Sequence, residues 1–180
     1  YAEIDERVYP LNVYTPNDPD YAGKQWNLQS PDEPDLQIGG ANLPGAWGLA
    51  VGGYALNGAG VTVAVLDTGY RPHAELVGNV VPGYDFVSAD ASNHFATAND
   101  GDGRDADAQD PGDWNTTETT SCNVADSTWH GTRVAGIIGA EANTIGTIGA
   151  AYGATILPVR VLGVCGGYVS DIAAGIQWAA

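Results

Sequence analysis

The sequence predicts an α/β fold in which a parallel sheet is flanked by helices. Two apolar runs rich in β-branched residues, GVTVAVLDTG (60–69) and ATILPVRVLG (154–163), are typical of buried parallel strands. Two segments with small and apolar residues, HGTRVAGIIGAEA (130–142) and SDIAAGIQWAA (170–180), favour helices that pack closely on such a sheet. Strands that alternate with helices predict right-handed crossovers around one sheet.

Shorter elements complete the predicted order. VVPGYDFV (80–87) is a candidate strand, and NLPGAWGLA (42–50) predicts a short helix with Asn42 at its N-cap. Residues 88–128 are polar and acidic, and a loop of that length is usually functional or ordered by a ligand.

Two details of the longer helices are also predicted. In the segment 130–142 we expect Val134, Ile137 and Ile138 to share the buried face. In the last segment Ser170 is the expected N-cap.

Composition limits the class of protein. The chain has 180 residues and 44% hydrophobic residues, which suits one domain with a core. Six basic residues stand against 22 acidic ones, a formal net charge of −16. That balance argues against nucleic acid and anionic membranes as partners and makes a cation the natural one, although an acidic surface that only aids solubility would look the same. No apolar run approaches the length that crosses a membrane.

The first residue, the lack of Met and the two cysteines indicate how the protein is processed and where it is located. The chain contains no Met and begins at Tyr1, so we expect a processed form or a fragment. Its two cysteines, Cys122 and Cys165, predict one disulfide and therefore an extracellular or periplasmic protein. Two free buried thiols are the alternative.

An Asp and a His stand where a hydrolytic site would need them. Asp67 ends the first buried strand in Asp67-Thr68-Gly69, and ligands gather at the carboxyl ends of parallel strands. His130 opens a helix in His130-Gly131-Thr132, with small neighbours that leave room for a substrate. An acid can orient an imidazole that takes the proton of a nucleophile. Taken singly, a strand-end Asp is more often a turn or cap residue, and a lone His at a helix start is more often structural.

The two motifs together resemble a known family. VTVAVLDTGYRPHAEL and HGTRVAGIIGA are similar to the Asp and His motifs of the subtilisin-like serine proteases, the subtilases, from about residue 40 onwards. The resemblance implies a subtilisin-like parallel sheet flanked by helices, here its N-terminal part, and peptide-bond hydrolysis through an acyl-enzyme. It implies that Asp67 is the triad acid and His130 the general base. It also implies a secreted protease, a monomer when complete, that acts on proteins or peptides.

Two departures from the family pattern stand out. Arg133 occupies the place where the family commonly has a second His, and this residue is not the base. The Gly-Thr-Ser-Met-Ala motif that carries the family's nucleophile does not occur in these 180 residues. We therefore expect the nucleophile and the oxyanion-hole Asn further along the polypeptide. A catalytically silent, calcium-binding subtilase-like module is the alternative function.

Two calcium sites are predicted. The loop NDGDGRDADAQDPGDW (99–114) is rich in Asp and Gly, and Ca²⁺ takes six to eight oxygens in flexible geometry. The expected ligands there are Asp100, Asp102, Asp105, Asp107 and Asp110, with a carbonyl near Arg104. The resemblance implies a second site in EANTIGTIGAA (141–151), built from Asn143 and the backbone oxygens of Glu141, Ile145 and Thr147, with Glu75 as an acidic ligand. A solvated acidic loop and an ordinary helix-to-strand loop are the alternatives.

The N-terminal residues have their own interpretation. Residues 1–14 resemble the end of a subtilase propeptide, and residues 15–180 the N-terminal part of the catalytic domain. The likeness implies cleavage near Tyr14–Thr15, so we expect a zymogen that is bound by its own propeptide. The alternative is that residues 1–14 are an extended arm of the mature domain.

Overall fold

A computed structural model describes residues 9–10, 13–31, 39–51, 54–90, 94–118 and 122–180. The helices are α1 (Tyr21–Lys24), α2 (Leu43–Trp47), α3 (His130–Gly139) and α4 (Val169–Ala179), with a 3₁₀ turn at Trp26–Leu28. The strands are β1 (Tyr9–Pro10), β2 (Leu49–Val51), β3 (Tyr54–Ala55), β4 (Thr62–Asp67), β5 (Tyr84–Asp85) and β6 (Thr155–Arg160).

The central sheet is parallel, as predicted, and has the order β4-β6-β5. Its register pairs Thr62 with Thr155 at one end and Asp67 with Arg160 at the other. The β-branched runs explain why β4 and β6 lie inside the molecule, since strands covered on both faces are apolar throughout. A small antiparallel sheet of β1, β2 and β3 lies outside this core.

Helices cover both faces of the parallel sheet. Val65 and Ile156 pack with Ala135 of α3 in one cluster, whereas Leu66 and Val159 pack with α4 in another. Because successive side chains of a strand point to opposite faces, the two clusters lie on opposite sides of the sheet. This layering confirms the predicted fold class.

The helix predicted over 42–50 is too long. It ends at Trp47, and Leu49–Val51 forms the middle strand of the small antiparallel sheet, paired with both Tyr9–Pro10 and Tyr54–Ala55. Asn42 does occupy the N-cap, but in a left-handed conformation and with no side-chain cap hydrogen bond.

The strand predicted over 80–87 is reduced to Tyr84–Asp85. Pro82 has no N–H to give to a sheet ladder. At Gly83 the chain crosses so close to the Pro158 carbonyl oxygen that a Cβ would overlap it. Regular pairing therefore begins only after both residues.

Helix α3 differs from its prediction in length and in one buried residue. It ends at Gly139, because the Glu141 N–H donates to the Glu75 carbonyl oxygen at 2.8 Å instead of continuing the helix. Val134 and Ile138 are partly buried, but Ile137 is 64% exposed. The buried face centres on Ala135, and a residue two positions further along points away from it.

Helix α4 begins at Val169, and its N-cap is Tyr168, two residues before the predicted Ser170. The loop predicted over 88–128 is confirmed for residues 88–90, 94–118 and 122–128, the described part of that stretch, in which no helix or extended strand occurs.

Candidate active site

Asp67 and His130 meet at the carboxyl edge of the sheet. Asp67 is the last residue of β4, and His130 is the first residue of α3. The His130 Nδ1 lies 2.8 Å from Asp67 Oδ1 and 2.7 Å from Oδ2. Since Nδ1 faces the carboxylate, the neutral ring carries its proton there, and Nε2 is left to accept one. The geometry thus suits an acid that orients a base.

The exposure of the Asp67 and His130 side chains fits the roles of orienting acid and base. The Asp67 side chain is 10% exposed, whereas that of His130 is 61% exposed. The Thr68 N–H also donates to Asp67 Oδ1 at 2.7 Å. The buried Asp67 carboxylate can therefore fix the orientation of the imidazole, while the exposed side of the His130 ring remains accessible to a substrate.

Two glycines allow the strand end and the helix start to come this close. Gly69 has a φ of +93°, and a Cβ there would lie 2.6 Å from the Ala108 carbonyl oxygen. At Gly131 a Cβ would overlap the Gly69 carbonyl oxygen. Gly69 is therefore required by its positive φ and by the Ala108 carbonyl, and Gly131 is required by the close approach of α3 to Gly69.

Cys122 and Cys165 form a disulfide, with their Cα atoms 5.4 Å apart. This confirms the predicted pairing and rules out the two free thiols. The bond ties the chain that precedes His130 to the turn that follows β6.

The predicted calcium loop at 141–151 lies against two buried carboxylates. Glu75 is 6% exposed and Asp18 is 4% exposed. Glu75 Oε2 and Asp18 Oδ2 are buried, and neither has a hydrogen-bond partner. Burial and, secondarily, the charge of Asp18 raise the pKa of Glu75. Buried acceptors without donors fit a cation, since burying an unpaired carboxylate is otherwise costly.

Asp18 was missed by the sequence prediction. Its Oδ1 accepts the Asn143 N–H at 3.0 Å, which brings the N-terminal segment to the loop. In the sequence it was one of many Asp residues in a segment without periodicity, and only the folded chain sets it apart. The Asn143 side-chain oxygen accepts the Ile145 N–H at 2.7 Å, and the Glu141 carboxylate accepts the Gly78 N–H. The structure thus places Glu75, Asn143 and the loop of Ile145 and Thr147 together.

The acidic loop at 99–114 differs from the loop at 141–151, because its carboxylates line an open cavity and several of them are hydrogen-bonded. Its predicted ligands line one open cavity, namely Asp100, Asp102, Asp105, Asp107 and Asp110. Several carboxylates there already have partners: Asp100 pairs with Arg160, and Asp105 accepts the Asp107 N–H. The Arg104 side chain turns away to Asp171, at 2.6 Å. Over the described residues no three His, Cys, Asp or Glu side chains are grouped as metal ligands, so both calcium sites stay predictions.

A family profile described as the subtilase family matches residues 58–180. The chain is 43% identical over 181 residues to an extracellular protease of Xanthomonas campestris, an alignment that covers 99% of this chain and 28% of the relative. It is 41% identical over 189 residues to an extracellular basic protease of Dichelobacter nodosus, with 100% and 28% covered. A solved structure described as proteases from Pseudoalteromonas arctica is 49% identical, with a TM-score of 0.76, and the match covers 92% of this chain and 44% of that one.

The parallel sheet, its flanking helices and the Asp67–His130 pair define a subtilisin-like fold. The chain belongs to the subtilase family. It spans about 28% of the length of these two curated relatives. In the described ranges no helix has the length and apolar character needed to cross a lipid bilayer.

Proposed function

We propose that this chain is part of a serine endopeptidase, in which Asp67 and His130 are two members of an Asp-His-Ser triad. The observation that carries the proposal is the contact of both Asp67 carboxylate oxygens with His130 Nδ1. Family membership supports the same chemistry. The third member is a Ser outside these 180 residues.

The roles follow from the geometry. His130 takes the proton of the Ser hydroxyl at Nε2 as the hydroxyl attacks a peptide carbonyl, and it later gives that proton to the leaving amine. Asp67 holds the ring and stabilises the imidazolium that forms. In triads of this kind, replacing the acid by its amide lowers kcat by about 10⁴. We therefore expect Asp67→Asn to lose activity by a similar factor while it retains the fold.

The experiment is to treat the purified source protein with a fluorophosphonate probe and to measure its intact mass. An adduct on a polypeptide well above 18.6 kDa supports the proposal. The His130→Ala variant of the full-length protein is the matched control and should lose the adduct. An unlabelled protein with a mass that matches these 180 residues would contradict the protease and favour a silent calcium-binding module.

Calcium belongs to the same proposal. Asp18, Glu75, Asn143 and the backbone oxygens of Glu141, Ile145 and Thr147 would hold one ion, and the buried carboxylate oxygens without partners support this site. A bound ion would supply positive charge between the N-terminal segment and the loop after α3. The acidic loop at 99–114 is the second proposed site, supported by its shared cavity. Calcium titration of the chelated protein, followed by calorimetry, counts the sites.

Secretion and activation complete the proposal. The curated relatives named as extracellular proteases support a secreted protein whose substrates are proteins or peptides. Residues 1–14 would be the end of a propeptide, and cleavage near Tyr14–Thr15 would release it. Tyr14 stacks on Tyr152 with ring centroids 5.6 Å apart, so this residue is anchored on the domain. An intact mass of the mature secreted protein that still included Tyr1 would contradict the cleavage.

A further inference from the structure

The first turn of α3 is capped by two threonines that lie outside the helix. The first N–H groups of a helix have no partner within it, and the N-cap residue Trp129 makes no side-chain cap hydrogen bond. Instead, Thr68 Oγ1 accepts the Gly131 N–H at 3.0 Å, and Thr128 Oγ1 accepts the His130 N–H at 3.3 Å. Two successive donors at the catalytic end of the helix are thus held by hydroxyl groups.

Each hydroxyl is backed by a carboxylate. Thr68 Oγ1 donates to Asp110 Oδ2 at 2.7 Å, and Thr128 Oγ1 donates to Asp113 Oδ2 at 2.7 Å. The second oxygen of each carboxylate accepts a backbone N–H. Asp110 Oδ1 takes that of Gly112 at 2.8 Å, and Asp113 Oδ1 takes that of Thr128 at 2.6 Å.

These hydrogen bonds determine which group each threonine hydroxyl donates to and which it accepts from. A hydroxyl donates once, so a Thr that donates to a carboxylate must turn its lone pairs to the helix N–H. A charged acceptor strengthens that donation, and each bond in such a chain polarises the next. Asp110 is 1% exposed and Thr68 is 5% exposed, so water cannot replace the carboxylate at this position.

We propose that Asp110 and Asp113 are positioning residues for His130, which act through the Thr68 and Thr128 hydroxyls on the first turn of α3. The inference rests on the proposed function, because it assigns these carboxylates to the alignment of the catalytic base. Asp67 accepts from the Thr68 N–H while the Thr68 hydroxyl holds the Gly131 N–H. Thr68 therefore fixes the position of Asp67 relative to α3, the helix that carries His130. The acidic loop thereby has a role in the active site that does not require a bound ion.

The test compares variants of the full-length protein with a peptide substrate. Thr68→Val removes the hydroxyl at constant shape, Thr68→Ser keeps it, and Asp110→Asn leaves an amide that cannot accept from both Thr68 and the Gly112 N–H. A misplaced base costs about tenfold to a hundredfold in rate. We expect Thr68→Val and Asp110→Asn each to lower kcat by such a factor, with KM changed by less than about threefold.

Thr68→Ser should retain kcat within about threefold. The double variant Thr68→Val/Asp110→Asn should be no slower than the slower single variant, because both break one chain of bonds. Glu118→Gln, at an exposed carboxylate of the longer polar stretch 88–128, is the matched control and should leave kcat unchanged. The proposal is overturned if Thr68→Val keeps wild-type kcat, or if the two losses multiply.

A measurement without turnover separates this inference from the proposed function. If the wild-type protein takes no fluorophosphonate, the protease proposal fails, but the capping can still be measured. Hydrogen exchange of the Gly131 amide should be faster in Thr68→Val and slow in both Thr68→Ser and the wild type. Equal protection in Thr68→Val and the wild type would overturn the positioning role regardless of activity.

Discussion

At the scale of single residues, Gly131 decides how closely β4 approaches α3. A methyl group at Gly131 would overlap the Gly69 carbonyl oxygen, and that oxygen belongs to the turn behind Asp67. We expect Gly131→Ala to lower the free energy of unfolding by about 2 kcal/mol, the usual cost of overpacking, and to lower kcat. Urea unfolding and peptide hydrolysis measure the two effects.

The matched control is Gly136→Ala on the same helix. No atom lies within 4 Å of a Cβ there, so alanine should raise the free energy of unfolding by about 0.5–1 kcal/mol through its helix propensity. If Gly131→Ala is as stable and as active as Gly136→Ala, the close contact is not important.

The carboxylate of Asp90 should make the stability of the folded protein depend on pH. Burial alone would raise the pKa of Asp90, but hydrogen bonds from Thr97 and Tyr168 hold it below its ordinary value of 3.8. The carboxylate therefore adds stability above pH 3.8, and that part is lost as the pH falls through the lower folded pKa. Asp90→Asn should lower stability near pH 6 and flatten its acid dependence, as urea midpoints would measure. Asp20→Asn is the control, since its exposed ion pair with Lys24 contributes little.

At the scale of elements, the sequence predicted best where the hydrophobic pattern was long. Strands β4 and β6 lie within the predicted apolar runs 60–69 and 154–163. The fully buried residues of α3 are the small ones at Gly131, Ala135 and Gly139, which the sequence did not single out. The errors lie where tertiary contacts decide. The carbonyl of Glu75 ends α3 by taking the Glu141 N–H, and no local pattern at 139–142 reveals that partner.

The disulfide is an element-scale constraint with a measurable effect. It joins Cys122 to Cys165 over a separation of 43 residues, for which loop entropy gives about 4 kcal/mol of stabilisation. We expect the double variant Cys122→Ser/Cys165→Ser of the full-length protein to lose stability of that order, as urea unfolding would measure. Wild-type protein treated with a reductant should behave like the double variant. A loss below about 1 kcal/mol would mean that the reduced, unfolded chain retains structure that already restricts this loop.

At the scale of the whole molecule, the proposed calcium site joins distant parts of the chain. Asp18, Glu75 and Asn143 come together from the N-terminal segment, the turn after β4 and the loop after α3. We expect chelation of calcium to lower Tm, because an ion at 100 times its Kd contributes about 2.7 kcal/mol. Asp18→Asn should lower Tm in calcium and reduce the further loss caused by chelation. An equal effect of chelation on Asp18→Asn and the wild type would place the ion elsewhere.

The candidate site was predictable to the extent that its residues have local signatures. Asp67 and His130 stand in long motifs, and both lie at the sheet edge where such motifs were expected to meet. Asp18, Asp110 and Asp113 have no such signature, because what sets them apart is a partner far along the chain. Asp110, for instance, contacts Thr68 across 42 positions. Only the fold shows which Asp in an acidic loop faces inward.

The order of strands in the central sheet has a consequence for the nascent chain. Among the described strands, β4 and β5 both pair with β6 and not with each other. The sheet therefore has no central strand until residue 155 has been synthesised, and β4 must wait for 93 further residues, since Thr62 pairs with Thr155. At about 5–20 residues per second this delay is roughly 5–20 s. Throughout that interval the apolar run at 62–67 lacks β6, the strand it pairs with, and we expect holding chaperones to bind it.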